Sequence, residues 1–385
     1  MKKQLLFIFL LISFVKGNAQ TNNTYTLTSG GVTRSYILYV PAIYNASHPV
    51  PLLFNFHGYG SNNAQQEFYG DFRGIADTAN FIMALPQGLS SGGSAGFNDF
   101  GTVASAAIDL NFTQAMIDSI SAHFNINSCK IYSTGMSNGG FMSHDIACFL
   151  SSKFAAIASV SGSLMPSHAS ACNPSHPMPV MQIHGTSDVT VSYTGVGGII
   201  GSIDIDSLVK LWVRLNNCNP IPTSSMVPNI NLADSCTAQH FIYSGGSGNS
   251  TVEFFKIIGG GHAWPGSAYN ISGVNTNQDF SASKEIWRFL RQYCLSNLTS
   301  VAEIEKQNIN FLLFPNPSNS VLNYSLNKPT GSLVTIEITD VLGKVIMTET
   351  TSVNSIAVDK LNTGLYFFTL TQDAKQLVRT KFIKE

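Results

Sequence analysis

A serine with a glycine two residues away on each side follows a short strand-like segment in the first half of the chain. Lys130–Thr134 is predicted to be a strand, and Asn138–Leu150 has the apolar spacing of a helix. Between them runs the motif Gly135-Met136-Ser137-Asn138-Gly139. A strand that turns sharply into a helix leaves no room for a Cβ at either glycine, and it projects the serine hydroxyl from the sheet edge. The segment therefore predicts a nucleophile elbow with Ser137 as the nucleophile.

Two later strand-like segments lead into loops that carry an acid and a histidine. Val180–His184 is followed by Gly185-Thr186-Ser187-Asp188, and Val252–Ile258 is followed by a glycine run that ends at His262. An activated serine needs a base, and the base needs a carboxylate to orient it. In α/β hydrolases these follow the serine in the order acid, then histidine. We therefore predict Asp188 as the acid and His262 as the base, and expect His240, inside a strand-like run, to be a packed or surface histidine.

An early strand, Leu52–Phe56, ends in the glycine-containing loop His57-Gly58-Tyr59-Gly60. Glycines allow such a loop to turn backbone N–H groups toward a developing negative charge. We assign the two oxyanion donors to the backbone N–H groups of Tyr59 and Asn138, with Gly58 as the alternative to Tyr59. The Tyr59 ring is also expected to form an aromatic wall. His57 and His184, each before a glycine at a strand end, are expected to fix loops by hydrogen bonds.

Strand-like and helix-like segments alternate through most of the chain. Further strands are predicted at Ser35–Val40, Phe81–Leu85 and Ala155–Val160, and further helices at Leu110–Phe124, Ser207–Leu215 and Lys284–Tyr293. Several of the strands are apolar throughout instead of alternating, as expected for parallel strands that are covered on both faces. The pattern predicts an α/β domain with a mostly parallel sheet and helices on both faces.

Charge is scarce in this chain. The 21 Lys and Arg residues oppose 22 Asp and Glu, so the net charge is −1 and only 11% of residues are charged, against about 25% in an average soluble protein. This balance provides no field to hold nucleic acid or an anionic membrane surface, whereas it suits weakly charged polymers. At 44% hydrophobic residues, the chain is too apolar to be disordered. The shortage of charge is unusual for a cytosolic protein and favours export.

The first 19 residues have the organisation of a cleavable signal peptide. Lys2 and Lys3 precede the apolar run Leu5–Val15, and small residues follow at Gly17 and Ala19. The run is shorter than the about 20 residues that a membrane-spanning helix needs. We predict that residues 1–19 are removed, with a buried N-terminal helix as the alternative. No other stretch approaches transmembrane length, so no membrane anchor is expected.

Six cysteines remain in the predicted mature chain, and an exported chain with an even number is expected to form disulfides. Because no Cys-x-x-Cys pair occurs, we expect no zinc site. Six cysteines allow 15 pairings. Pairing the sequence-local cysteines predicts Cys148 with Cys172 and Cys218 with Cys236, which leaves Cys129 for Cys294.

A composition change near residue 300 divides the chain. Residues 301–385 contain 16 charged side chains in 85, about 19%, against about 9% before them, and all the cysteines precede residue 295. We predict an α/β domain over residues 20–297, a linker over 298–310 and a second domain over 311–385. Short β segments at Ser332–Thr339, Lys344–Thr350 and Leu365–Thr371, separated by Gly and Asn turns, predict a small β-sandwich.

Residues 25–295 resemble the secreted esterases of the polyhydroxybutyrate depolymerase and feruloyl esterase family. The resemblance rests on five motifs in order: His57-Gly58-Tyr59-Gly60, Leu85-Pro86-Gln87-Gly88, Gly135-Met136-Ser137-Asn138-Gly139-Gly140, His184-Gly185-Thr186-Ser187-Asp188 and Gly260-Gly261-His262-Ala263-Trp264-Pro265-Gly266. It implies an α/β-hydrolase fold, the triad Ser137, Asp188 and His262, and Trp264 as a wall of the acyl pocket. Where the family often has a Trp after the second motif, this chain has a Gly- and Ser-rich loop, Gly92–Phe97.

Residues 311–385 resemble the C-terminal sorting domain of the type IX secretion system. The matching segments are Phe314-Pro315-Asn316-Pro317, Asp340-Val341-Leu342-Gly343-Lys344, Gly364-Leu365-Tyr366-Phe367-Phe368 and Lys381-Phe382-Ile383-Lys384. The resemblance implies recognition by the secretion machinery and delivery to the medium or the cell surface. A carbohydrate-binding module is the competing interpretation, but the region has no Trp for an aromatic platform.

These features together predict an exported carboxylic-ester hydrolase that works through an acyl-enzyme and needs no metal or cofactor. Feruloyl or acetyl esters on plant cell-wall polysaccharide, such as xylan, are the first expectation for the substrate. A polyester such as poly(3-hydroxybutyrate) is the second. A non-catalytic surface-binding protein on a hydrolase scaffold and a peptidase are further alternatives.

Overall fold

A computed structural model of the chain describes residues 20–91, 94–97, 100–195, 201–269, 273–295, 311–326, 333–340, 344–372 and 375–385. The chain divides into two compact units, Met1–Val301 and Ala302–Glu385. The predicted signal peptide, residues 1–19, and the predicted linker, residues 298–310, lie outside the described residues.

The first unit alternates strands and helices. Its strands are β1 (Thr21–Ser29), β2 (Val32–Val40), β3 (Val50–Phe56), β4 (Ile82–Pro86), β5 (Leu89–Ser91), β6 (Ser94–Gly96), β7 (Ile126–Met136), β8 (Ala156–Val160), β9 (Val180–Gly185), β10 (Thr223–Met226), β11 (Thr237–Tyr243) and β12 (Val252–Ile258). Its helices are α1 (Asn63–Tyr69), α2 (Arg73–Ala79), α3 (Val103–His123), α4 (Asn138–Phe149), α5 (Pro166–Ala171), α6 (Ile205–Leu215) and α7 (Ala282–Leu290).

Ten of the described strands form one sheet in the order β1-β2-β4-β3-β7-β8-β9-β12-β11-β10. The central strands from β4 to β12 are parallel, and the outer strands on both sides are antiparallel. Parallel neighbours bring their carboxyl ends to the same edge, so the loops after β3, β7, β9 and β12 meet there. This architecture confirms the predicted α/β-hydrolase fold.

The central strands are buried along most of their length because both faces of the sheet are covered. Leu52 and Phe54 of β3 pack in a cluster with residues of α3, α4 and α6, whereas Leu53 packs in a second cluster with residues of α2 and α7. Successive side chains of a strand point to opposite faces, so every position of such a strand is a core position.

Helix α3 begins earlier than the spacing of its apolar residues predicts. The expected helix started at Leu110, but α3 starts at Val103, where the Thr102 side chain accepts a hydrogen bond from the Ser105 N–H. A side-chain oxygen at this position satisfies an N–H group that the helix itself leaves unpaired. The first turns of α3 are mostly small residues, which show no apolar period. The capping residue Thr102, and not the apolar spacing, therefore marks the start of α3.

Two of the three expected disulfides are present. Cys129 is bonded to Cys294 and Cys148 to Cys172, whereas Cys218 and Cys236 are buried thiols. The prediction for that last pair is wrong because the two residues lie at opposite ends of β11. Cys236 precedes its first residue, and Asn219, next to Cys218, bonds to Ser244 just beyond its last. A strand of seven residues separates its ends by roughly 20 Å, far beyond the reach of a disulfide.

Within the part of the chain that the structure describes, no helix has the length and apolar character required to cross a membrane.

The second unit is built from antiparallel strands. They are β13 (Phe311–Phe314), β14 (Val321–Leu326), β15 (Val334–Thr339), β16 (Val345–Thr351), β17 (Ser355–Ala357), β18 (Gly364–Gln372) and β19 (Lys375–Lys384). They form two sheets, β13-β14-β17 and β16-β15-β18-β19. Side chains from both sheets, including Leu322, Ile336 and Phe368, share one buried cluster. The predicted β-sandwich is confirmed, with β13, β14, β17 and β19 added to the expected segments.

Candidate active site

Ser137 occupies a strained turn between β7 and α4. Its backbone has φ 56° and ψ −120°, a region that residues with a side chain rarely adopt. A Cβ on Gly135 would lie 2.5 Å from the Gly139 carbonyl oxygen, and a Cβ on Gly139 would overlap the Phe56 carbonyl. The two glycines therefore let the strand, the turn and the neighbouring β3 approach closely, as the motif predicts.

Asp188 and His262 are brought together from loops after β9 and β12. The His262 Nδ1 atom lies 2.8 Å from the Asp188 Oδ2 atom. The other carboxylate oxygen of Asp188, Oδ1, accepts the backbone N–H groups of Thr190 and Val191, each at 2.9 Å. The carboxylate is fully buried, whereas the imidazole remains 15% exposed. An acceptor-only carboxylate holds the proton on Nδ1 and leaves the Nε2 atom of His262 as a proton acceptor.

A cavity of about 580 Å³ places the serine and the histidine in one space. Ser137 and His262 both line it, together with residues of the loop after β3. A hydroxyl, an imidazole and a buried carboxylate in this arrangement can carry out nucleophilic acyl transfer.

The loop after β3 lies directly beside Ser137. A Cβ on Gly58 would be 3.4 Å from the Ser137 Cβ. The Gly58 N–H donates to the Tyr69 hydroxyl at 3.2 Å, so this alternative oxyanion donor is already engaged. The Tyr59 N–H forms no hydrogen bond with any residue that the structure describes. These contacts favour Tyr59 over Gly58 as the donor.

Comparison with known proteins assigns both parts of the chain. Residues 312–385 match the family model of the secretion system C-terminal sorting domain. The chain is 30% identical over 197 residues to "Probable feruloyl esterase C" of Aspergillus terreus, covering 48% of this chain and 67% of that protein. It is 27% identical over 238 residues to feruloyl esterase B of Piromyces equi, covering 60% of this chain but only 42% of that longer protein.

The chain belongs to the feruloyl esterase family.

The solved structures agree with this assignment at the level of the fold. The acetyl xylan esterase of Aspergillus awamori superposes with a TM-score of 0.51 over 70% of this chain and 99% of that one, at 15% sequence identity. The present esterase is thus an α/β hydrolase acting on carboxylic esters, and its last 74 residues are a type IX secretion sorting domain.

The Gly- and Ser-rich segment of the esterase, expected to be a loop, includes the described strand β6 (Ser94–Gly96). Strands β5 and β6 pair there, and the segment contacts both predicted oxyanion residues. The Asn138 side chain accepts the Phe97 N–H at 2.7 Å and donates to the Phe97 carbonyl at 3.1 Å. The Gly60 N–H, next to Tyr59, donates to the Ala95 carbonyl at 2.7 Å. The sequence motifs gave no indication of these supports, because β5 and β6 have three residues each and are too short to show a period.

His57 connects Gly88, the residue before β5, to the loop that carries Tyr59. The Gly88 N–H donates to His57 Nε2 at 2.9 Å, and His57 Nδ1 donates to the Gly58 carbonyl at 2.8 Å. Because Nε2 must accept, the ring is neutral, and burial lowers the pKa of His57 to about 4. His57 therefore fixes loops, as expected.

The cavity is lined by both predicted aromatic residues, Trp264 and Tyr59, and by further aromatic side chains. Trp264 lines the cavity but is only 3% exposed, and its indole N–H donates to the Ser283 hydroxyl at 3.2 Å. Tyr59, 55% exposed, also lines it. Phe68 of α1 and Tyr269 add an exposed pair whose rings meet edge to face at 6.1 Å. No sequence signal marked these two residues, because they lie 201 positions apart on surface segments.

His240 lies outside this constellation. Its Nε2 atom is 2.8 Å from a Glu253 carboxylate oxygen, and its ring stacks on Phe255 at 4.0 Å. It is the packed histidine that its strand position predicts. Among the residues that the structure describes, no cluster of three potential metal ligands occurs.

Proposed function

We propose that the protein is a secreted serine esterase in which Ser137, Asp188 and His262 form the catalytic triad. One observation carries the proposal: His262 is bonded to the buried Asp188 through Nδ1 and faces the same cavity as Ser137. A neutral imidazole held in this tautomer is the general base that a serine nucleophile requires.

In acylation, His262 Nε2 takes the hydroxyl proton of Ser137 while the serine oxygen attacks the ester carbonyl carbon. The negative charge that develops on the carbonyl oxygen is stabilised by the backbone N–H groups of Asn138 and Tyr59. Collapse of this intermediate breaks the bond to the alcohol oxygen, which leaves with the proton from the imidazolium. Asp188 keeps its charge and stabilises the imidazolium.

Deacylation repeats these steps with water as the nucleophile. The His262 imidazole accepts a water proton while the water oxygen attacks the acyl carbon. Collapse of the second intermediate returns the proton to the oxygen of Ser137 and releases the carboxylic acid. No metal or cofactor takes part in these steps.

We infer that the substrates are feruloyl or acetyl esters on plant cell-wall polysaccharide. The names of the relatives support this class, and so do the exposed rings of Phe68, Tyr269 and Tyr59 at the cavity. Flat aromatic side chains bind both phenolic acyl groups and sugar faces. The scarcity of charge in the chain is also compatible with a weakly charged polymer.

Delivery to that substrate completes the proposal. Residues 1–19 act as a signal peptide, residues 20–297 form the esterase domain, and residues 298–310 connect it to the sorting domain. The sorting domain, residues 311–385, is recognised by the type IX secretion machinery, so the esterase is released to the medium or held at the cell surface. Immunoblots of medium and cell fractions from cells expressing the full chain or residues 1–310 test this part, because the shorter chain should stay inside the outer membrane.

The Ser137→Ala variant tests the mechanism. We expect it to hydrolyse p-nitrophenyl acetate at least 1,000-fold more slowly than the wild type, since the nucleophile is removed. It should keep the thermal unfolding midpoint of the wild type. Ser250→Ala, a buried serine bonded to Ser247 outside the cavity, is the matched control and should retain full activity. Wild-type turnover by Ser137→Ala would contradict the mechanism.

A parallel assay of methyl ferulate, acetylated xylan and a poly(3-hydroxybutyrate) film tests the substrate. We expect release of ferulate or acetate. Release of hydroxybutyrate alone would make the protein a polyester depolymerase. A folded wild-type protein that is not labelled by a serine-reactive fluorophosphonate would instead indicate a non-catalytic surface protein.

A further inference from the structure

A row of buried polar side chains lies behind the acid of the proposed triad. His184, near the end of β9, has its Nε2 atom 2.9 Å from the Val191 carbonyl oxygen and 3.5 Å from the Asp188 Oδ2 atom. Its Nδ1 atom is 3.1 Å from the amide nitrogen of Gln182. The imidazole is fully buried, so water cannot replace any of these contacts.

The direction of every hydrogen bond in this row is determined. The Trp212 indole N–H can only donate, and it does so to His144 Nδ1 at 3.2 Å. His144 Nε2 must then donate to the Gln182 amide oxygen, at 3.0 Å. The Gln182 amide nitrogen donates to the Gly162 carbonyl at 2.8 Å and to His184 Nδ1. The proton of His184 therefore sits on Nε2, which donates to the loop.

Both histidines of the row are neutral. Burial lowers the pKa of His184, and burial lowers the pKa of His144 to about 4. A second proton on His184 would place an N–H on Nδ1 opposite the N–H of Gln182. The geometry and the burial thus favour the same single tautomer.

The carbonyl that His184 contacts belongs to the loop that holds the acid. Val191 is fully buried, its N–H donates to the Asp188 carboxylate, and its carbonyl accepts the His184 Nε2–H. Loss of that donor leaves a buried carbonyl unpaired, which is unfavourable enough to move the loop. A shift of Val191 would in turn change the position of Asp188.

We propose that His184 is a positioning residue for Asp188, held in its donor tautomer by the row Trp212, His144 and Gln182. It acts by donating to the Val191 carbonyl and by placing its Nε2–H near the Asp188 Oδ2 atom, the oxygen that also pairs with His262 Nδ1. The proposal rests on the role of Asp188 in the serine mechanism above. In this role, His184 influences catalysis without contacting the substrate or Ser137.

Two amide replacements of His184 differ only in reach, and they provide the test. The amide in His184→Gln extends to about the position of Nε2 and can donate to Val191, whereas the amide in His184→Asn ends near Nδ1. With p-nitrophenyl acetate, we expect His184→Asn to lower kcat about 10- to 100-fold, the loss typical when a residue that orients a metal ligand by a hydrogen bond is replaced. KM should stay within about twofold. His184→Gln should recover most of the lost kcat.

His176→Gln is the matched control. His176 is another buried histidine, bonded to the Pro177 and Ser151 carbonyls, so its replacement reports on the general consequence of losing a core imidazole. We expect lower stability but wild-type kcat per folded molecule, with the folded fraction measured by circular dichroism. Wild-type kcat in folded His184→Asn, or equal kcat in the Asn and Gln variants, would overturn the proposal.

Two further outcomes keep the test decisive. If His184→Asn does not fold, His184→Gln is used alone: kcat within about tenfold of the wild type supports the assignment, and a larger loss at unchanged KM overturns it. Full activity of Ser137→Ala would refute the serine mechanism itself. An inactive Ser137→Ala together with a fully active, folded His184→Asn would refute only the role of His184.

Discussion

Ser137 and Asp188 lie at the same edge of one sheet, but they are held there by opposite means. The serine turn is set by close contact, since Gly135 and Gly139 leave no volume for a Cβ beside the Phe56 carbonyl. The acid loop is set by directed hydrogen bonds from Thr190, Val191 and His184. Close packing limits the size of the side chain that fits at a position, whereas hydrogen bonding limits which donor and acceptor groups the side chain carries. The serine turn should therefore tolerate changes of charge and pH, and the acid loop should tolerate changes of volume.

We expect the largest effect from a substitution of Asp188 that changes its hydrogen-bonding groups but not its size. Asp188→Asn keeps an oxygen for the Thr190 and Val191 N–H groups, so the fold should survive. Its amide nitrogen would face His262 Nδ1 as a donor and impose the wrong tautomer. We expect kcat to fall by about 10,000-fold, as for the equivalent change in other triads.

Steady-state kinetics with p-nitrophenyl acetate check this prediction. Asp118→Asn, an exposed position on α3, serves as the control. A loss of less than tenfold in folded Asp188→Asn would show that the loop does not depend on its polar chemistry.

A change of size without a change of charge at the serine turn is expected to have the next largest effect. A Cβ in Gly139→Ala would overlap the Phe56 carbonyl, so the turn or β3 must move. We expect the free energy of unfolding to fall by more than about 3 kcal/mol, at the upper end for overpacking of a core. Denaturant unfolding measures the change.

Gly74→Ala is the matched control for Gly139→Ala. Gly74 lies inside α2, where a Cβ would have no atom within 4 Å. We expect this variant to gain up to about 1 kcal/mol because alanine favours the helix. Equal stability of the two variants would remove the steric explanation of the turn.

The smallest predicted effect is the contribution of His57 to the pH dependence of stability. It also distinguishes support by hydrogen bonds from support by close packing. The folded pKa of His57 is about 4, below its usual value near 6.5, so the unfolded chain binds the proton more tightly. The contribution of neutral His57 is complete above pH 6.5 and is lost as the pH falls to about 4. It amounts to at most about 3 kcal/mol.

Replacing this histidine should flatten the pH dependence. In His57→Gln, the free energy of unfolding should fall less between pH 6.5 and 4 than it does in the wild type, measured in urea at several pH values. Gly139→Ala should keep the wild-type slope. Identical slopes in His57→Gln and the wild type would show that the proton uptake belongs to other groups.

The same distinction explains which parts of the molecule the sequence could predict. The close packing of the serine turn can be read from a short sequence motif, because the glycines that flank Ser137 lie close to it along the chain. The carboxyl ends of apolar strands likewise mark Asp188 and His262. The α/β fold followed from several strand-like segments in which apolar and polar residues do not alternate, since such strands require cover on both faces.

Hydrogen bonds between side chains that are distant along the chain have no comparable sequence pattern. The row behind Asp188 joins residues of α6, α4 and β9, and no short segment contains more than two of its members. Its existence depends on which helix faces meet across the sheet. The wrong pairing of Cys218 with Cys236 has a related cause: nearness along the chain says nothing about the length of the strand between two residues.

The disulfide between Cys129 and Cys294 has a consequence for the chain as a covalent object. It closes a ring that contains Ser137, Asp188 and His262, together with every loop between them. A protease that cuts one exposed loop within this ring leaves both fragments joined, so no triad residue is released. A cut anywhere beyond residue 294, including removal of the sorting domain, leaves the ring intact. The esterase can therefore lose its C-terminal domain or be nicked once and still keep its catalytic residues in a single molecule.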